Sequence, residues 1–159
     1  MKKLSVFVPA FLMLTAVSPL FAMGGQFNMR KPAIADTDLI INIRDISEYA
    51  LFYPVEIDGF KMEIIAVRAP DKSIRTVFNA CEECYTLGKG YYVQKRSVLV
   101  CQQCGDQFTI DHVEIEVGGC NPIPIFPEHK TTGASTIAIS REYLREAKAM
   151  FEKKKEEAD

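Results

Sequence analysis

Residues 52–67 read FYPVEIDGFKMEIIAV, and this stretch decides the fold class. Two apolar-rich runs, Phe52–Ile57 and Phe60–Val67, meet at Asp58-Gly59. A two-residue type I′ turn needs positive φ at both positions, and Asp-Gly is a pair that tolerates it. The second run opens with alternation: Phe60, Met62 and Ile64 share one face, Lys61 and Glu63 the other. An antiparallel hairpin is the expectation.

Working outward, a strand is expected upstream at residues 39–44. Asp45 then starts a short turn with Glu48 three residues on, in the manner of a capping box. Residues 23–36 (MGGQFNMRKPAIAD) read as a flexible lead-in. Downstream, a turn at residues 70–73 precedes a third strand at 74–78. Residues 91–94 and 97–101 form two short arms around Lys95-Arg96, and 108–113 reads as a further strand. Gly118-Gly-Cys-Asn-Pro122 is a tight loop, after which Pro122, Pro124 and Pro127 keep the chain extended. A last strand at 136–139 leads to Ser140, a suitable N-cap for a helix over 140–155. In that helix Tyr143, Leu144, Ala147, Met150 and Phe151 form one apolar stripe, read as core packing. The expected fold is mainly β with a C-terminal helix (α+β). It is a small antiparallel sheet domain over residues 38–159, with a Cys-rich, ribbon-like metal-knuckle half.

The length of 159 residues, with 48% hydrophobic and 25% charged side chains, suits one globular domain. Residues 1–22 differ from the rest. Lys2 and Lys3 precede an apolar run ending in Leu20-Phe-Ala22, the pattern of a secretory signal peptide, with an uncleaved N-terminal anchor as the alternative. The chain holds 19 basic and 21 acidic side chains; removing Lys2 and Lys3 leaves 17 against 21, a net charge of −4. No basic cluster favours nucleic acid. Export places the cysteines in an oxidising compartment, the periplasm or the outer face of the inner membrane, where disulfides are the default.

Four of the five cysteines form two C-x-x-C pairs, Cys81/Cys84 and Cys101/Cys104, with sixteen residues between them. A C-x-x-C turn directs both sulfurs at one ion and aims backbone N–H groups at them. Gly105 can take the positive φ that such a turn requires. This spacing is that of a four-thiolate ribbon with a hairpin inside it. Zinc, iron and Cu(I) all accept thiolates. No His follows either pair, which argues against haem attachment, and no βαβ setting supports a thioredoxin-like motif. Cys120 makes the count odd. It can replace one of the four as ligand, join a second site, or stand as a free or disulfide-forming thiol. His112 and His129 read as surface side chains, and Glu82 and Glu83 as solvated residues inside the first turn.

The run Val77-Phe-Asn-Ala-Cys81-Glu-Glu-Cys84-Tyr85, then Gly90-Tyr91, Cys101-Gln-Gln-Cys104-Gly105, Phe108-Thr-Ile-Asp111 and Gly118-Gly-Cys-Asn-Pro122 resembles the FtrD-like family of membrane iron–sulfur-containing proteins. The resemblance covers about residues 38–139. It implies an envelope protein that acts beside an iron permease and a periplasmic metal-binding protein, with possible membrane association. It further implies iron or an iron–sulfur cluster, and Cys81, Cys84, Cys101, Cys104 and Cys120 as the metal-site residues. The expected function is a metal-binding or electron-transfer accessory of iron uptake rather than an enzyme. The alternatives are a thiol–disulfide redox protein and a structural-zinc interaction domain.

Overall fold

The computed structural model describes residues 33–34 and 37–157. The signal peptide expected over residues 1–22 lies outside them. Among the described residues, eleven strands are followed by one helix: β1 (Ala33–Ile34), β2 (Leu39–Asn42), β3 (Leu51–Ile57), β4 (Phe60–Arg68), β5 (Ile74–Cys81), β6 (Tyr92–Lys95), β7 (Val98–Cys101), β8 (Gln107–Thr109), β9 (Pro122–Pro124), β10 (Lys130–Thr132), β11 (Thr136–Ile139) and α1 (Arg141–Glu156). They make a central sheet in the order β1-β3-β4-β5-β9 and two three-stranded sheets, β10-β11-β2 and β6-β7-β8.

The β3–β4 hairpin is as expected. Ile57 pairs with Phe60, and Asp58 and Gly59 take φ of 48° and 80°. The alternation at the start of β4 then gives way to Ile64-Ile65-Ala66-Val67, all fully buried. A continuous apolar run of this kind fits a strand covered on both faces. One face carries Val55, Ile57, Met62, Ile64 and Phe78 against Ile41, Ile137 and Ile139 of the β10-β11-β2 sheet and Leu144, Ala147 and Phe151 of α1. The other carries Ile65, Val67, Val77 and Cys81 against Tyr92, Leu99, Cys101, Ile110 and Val113 of the cysteine-rich half. Each such large apolar side chain contributes about 1.5–3 kcal/mol when fully buried. The knuckles are therefore mounted on the same central sheet that organises the main core.

Several local expectations need correcting. The second strand stops at Asn42, whose side-chain oxygen accepts from the Arg44 N–H and starts a short 3-10 turn, Ile43–Asp45, so no capping box begins at Asp45. Ala33–Ile34, placed in the flexible lead-in, pairs in parallel with Val55–Glu56. β5 runs to Cys81 rather than ending at Phe78, and the strand expected over 108–113 ends at Thr109, after which the chain turns. β10 had no clear sequence signal: its three residues are too few to show alternation. In α1, Ser140 accepts from the Tyr143 N–H as expected, but Met150 is exposed, and Tyr143 is only partly buried.

The end of β5 positions the site. Its pairing with β4 stops at Ile64–Phe78, while its pairing with β9 shifts register between Val77–Pro124 and Cys81–Pro122. The strand is thereby released from β4, and the Cys81 N–H donates to the Gly90 carbonyl instead (2.7 Å). The Asn79 side chain bridges the parting strands: its amide donates to Glu63 (2.6 Å), and its oxygen accepts from the Tyr92 N–H (2.6 Å). Just before the bulge the Thr76 N–H is satisfied by the Glu114 carboxylate (2.6 Å), which also pairs with Lys130 (2.6 Å).

Candidate metal centre

Cys81 closes β5, and the turn after it brings Cys84 back beside it. That turn runs into a 3-10 segment, Tyr85–Leu87, closed by Gly88 at φ 84°. Gly90 crosses this turn so closely that a Cβ there would fall within the backbone of Cys84 and Tyr85. Only glycine permits the crossing. The second turn is built alike. Cys101 closes β7, its carbonyl accepts from the Gly105 N–H (3.0 Å), and Gly105 sits at φ 80°. The hairpin expected between the pairs is β6–β7, with Arg96 in its turn at φ 58°.

Cys120 arrives on a separate loop, which is fastened to the first turn. The Glu82 N–H donates to the Asn121 carbonyl (3.0 Å), the Tyr92 hydroxyl to the Cys120 carbonyl (2.7 Å), and the Gly118 N–H to the Glu82 carboxylate (3.3 Å). Gly118 and Gly119, at φ 87° and 75°, supply the reversal that lets the loop fold back.

Four sulfurs converge. The Sγ atoms of Cys81, Cys84, Cys104 and Cys120 all lie within 4.8 Å of one another. Cys104 and Cys120 are 3.5 Å apart, and Cys84 and Cys120 3.9 Å. All five cysteines are free thiols. Cys101 lies beside Cys104, buried, but outside this group of four. Cys81 and Cys84 are buried, Cys120 is half-buried and Cys104 is exposed, so the group opens to solvent on the Cys104 side. His112 is half-exposed, lies beside Asp111 and Glu116, and is not part of the converging group. His129, expected on the surface, is half-buried and stacks on Tyr143 at 4.2 Å. Glu83 is exposed, as expected, whereas Glu82 holds the Cys120 loop.

The electrostatics divide the thiols. Burial opposes ionisation of Cys81, but the Tyr92 hydroxyl beside it and hydrogen bonds from the Cys84 and Glu83 N–H groups bring it below the usual thiol range. The Asp106 N–H does the same for Cys104, against burial. Burial pushes Cys84 up to about 12, helped by hydrogen bonds with Cys104 and Cys81 and by the Cys81 charge. Cys120 is raised by its hydrogen bond with Cys104, then by burial; Cys101 is raised by burial. Each C-x-x-C pair thus holds one thiol lowered, while the other three are raised, Cys84 and Cys101 chiefly by burial and Cys120 chiefly by its hydrogen bond with Cys104. A cation at the centre favours the thiolate form of each.

Comparison with curated proteins and with solved structures returns no match to either. A family model described as membrane iron-sulfur containing protein, FtrD-like, matches residues 46–151. The chain belongs to the FtrD-like family. The FtrD-like match spans both C-x-x-C turns, Cys120 and most of α1. The family's description concerns iron, and the cysteine group fits metal binding. Among the described residues of this FtrD-like chain, no helix is long and apolar enough to cross a membrane.

A single tetrahedral ion with sulfur about 2.3 Å away spaces its ligands about 3.8 Å apart, close to the separations seen. An iron–sulfur cluster divides its four cysteines between two or four irons bridged by sulfide, so at least some of the sulfurs stand on different irons. Four sulfurs this close together do not fit that arrangement.

Two features escaped sequence reading. Tyr92 is fully buried and reaches both Cys81 and the Cys120 carbonyl. Glu114 and Lys130 form a buried pair behind the Cys120 loop. Gly90 was the available signal for the first, since a glycine after a C-x-x-C turn marks close backbone approach. The second joins residues distant in sequence and leaves no local pattern.

Proposed function

We propose that this is an exported envelope protein that binds iron through cysteine thiolates and serves as an accessory of an iron-uptake system, holding the ion or passing electrons to it. Residues 1–22 direct export, and residues 38–159 form the metal-binding domain. Its partners are an iron permease and a periplasmic metal-binding protein. The observation that carries the reading is the convergence of four sulfurs from three separate segments; membership in the FtrD-like family supports iron as the ion. Bound iron supplies one-electron chemistry. The chain shields the buried side with Tyr92, Leu99 and Val113 and leaves Cys104 toward solvent.

The test is metal analysis of the protein isolated without oxygen from the envelope fraction of iron-replete cells. Iron retained through purification, and lost in Cys81→Ser, is the expected result. Zinc alone would point to a structural domain.

A thiol–disulfide role is favoured by one observation: the exposed Cys104, lowered by the Asp106 N–H, lies 3.5 Å from Cys120. Under that reading the isolated protein carries a Cys104–Cys120 disulfide and no metal.

A further inference from the structure

We infer that the site takes one tetrahedral ion on Cys81, Cys84, Cys104 and Cys120, not a cluster, and keeps Cys101 beside it as a spare thiol. This rests on the metal-binding reading and goes further, to the number of ions and the identity of the ligands.

The spacing decides the number of ions. Two sulfur–sulfur separations, 3.5 and 3.9 Å, bracket the edge of a tetrahedron around one ion, about 3.8 Å, and no pair in the group exceeds 4.8 Å. A multi-iron cluster would require the three supporting segments to move apart.

They are not free to do so. The Cys120 loop is held to the first turn by the Glu82 N–H, the Glu82 carboxylate and the Tyr92 hydroxyl. Gly90 lies directly on the Cys84 backbone. Opening the group would break these contacts and move Gly90 against the Cys84 backbone.

The ligand set departs from a plain two-pair ribbon. Cys101 accepts hydrogen bonds from the Gln103 and Cys104 N–H groups, as the first cysteine of such a turn should. Yet it is buried with Ile65, Leu99 and Val113 while Cys120 takes its place in the group. A fifth sulfur arranged as a ligand but left out can enter as another leaves. That suits an ion that is passed on more than one that only braces a fold.

The experiment uses the full chain, purified without oxygen with iron bound. Iron and acid-labile sulfide are counted per chain, X-ray absorption gives the sulfur count around the metal, and Cys120→Ala and Cys101→Ala are challenged with a chelator. The expected result is one ion, no sulfide and four sulfurs in a single shell. Cys120→Ala should then weaken retention by roughly tenfold or more, and Cys101→Ala should retain the ion but surrender it more slowly. Sulfide in proportion to two or more irons would overturn the inference while leaving the metal-binding reading intact. Full retention by Cys120→Ala would overturn the ligand set. This second result stands even if Cys101→Ala fails to fold, because a two-pair ribbon requires Cys120 to be dispensable. A chain that binds no metal under any condition would overturn both the inference and the reading beneath it.

Discussion

The Tyr92 hydroxyl donates to the Cys120 carbonyl at 2.7 Å, and the same oxygen lies against the Cys81 sulfur. One buried phenol thus links the strand that carries the first cysteine of the group to the loop that carries the last. Tyr92→Phe keeps the ring and removes the hydroxyl. It leaves a partly buried carbonyl without its partner, which should cost about 1–3 kcal/mol of stability. Metal retention should fall by roughly tenfold, as for other partners that orient ligands. Denaturant unfolding and chelator competition on the same protein check both effects. An unchanged retention would remove Tyr92 from the site's support.

Gly90→Ala addresses the crossing over Cys84. The added methyl would overlap main-chain atoms, which cannot swing aside as a side chain can. The expectation is a destabilisation of about 1–3 kcal/mol or more, with loss of bound metal. Gly105→Ala meets open space and strains only the positive φ, so it should be the milder of the two. Thermal unfolding of both variants would show the order.

The Glu114–Lys130 pair should behave as a buried salt bridge. Both side chains are under a tenth exposed, and Glu114 also caps the free Thr76 N–H. Glu114→Ala leaves the lysine charge uncompensated and should cost about 3–5 kcal/mol. Adding Lys130→Met to that variant should recover part of the loss. A double variant as unstable as the single one would show that the Thr76 contact, not the ion pair, matters most.

The pH dependence follows from the divided thiols. Cys84 is raised from 9.0 to about 12 in the folded protein. Its contribution to the metal-free fold is therefore fully present below 9.0 and is lost as pH rises toward about 12. Cys81 and Cys104 are lowered, so their contribution is present above the ordinary thiol value and disappears as pH falls through their folded values. The metal-free protein should lose stability over pH 9–12, and Cys84→Ser should flatten that decline. With metal bound the loss on the acid side deepens: the thiols must shed protons to ligate, so affinity falls as pH drops. Unfolding midpoints across pH, with and without metal, test both limbs.

Much of the architecture is written in local sequence. Asp58-Gly59 between apolar runs, Ser140 ahead of the α1 stripe, and the paired cysteines around β6–β7 are all signals that a few neighbouring residues carry. The features that escaped depend on distant partners. β1 pairs with β3, Ala33 against Val55, and β10 is too short to show a period. Residues 110–113 look like a strand because Ile110 and Val113 are apolar, yet both are buried from a turn rather than from a ladder. The site shows the same division. The two C-x-x-C turns and the hairpin between them were legible from spacing, but which four sulfurs converge was not. It depends on the bulge in β5 and on the loop that Glu82 and Tyr92 tie down, and neither has a short-range signature.

The account rests on iron held by cysteine sulfur. The most direct measurement is the X-ray absorption spectrum, at the iron and zinc edges, of the full chain isolated anaerobically from the envelope of iron-replete cells. Iron in a shell of four sulfurs at about 2.3 Å, without a neighbouring iron, is the predicted result. A zinc edge alone, or a metal-free protein with its cysteines joined as disulfides, would contradict it.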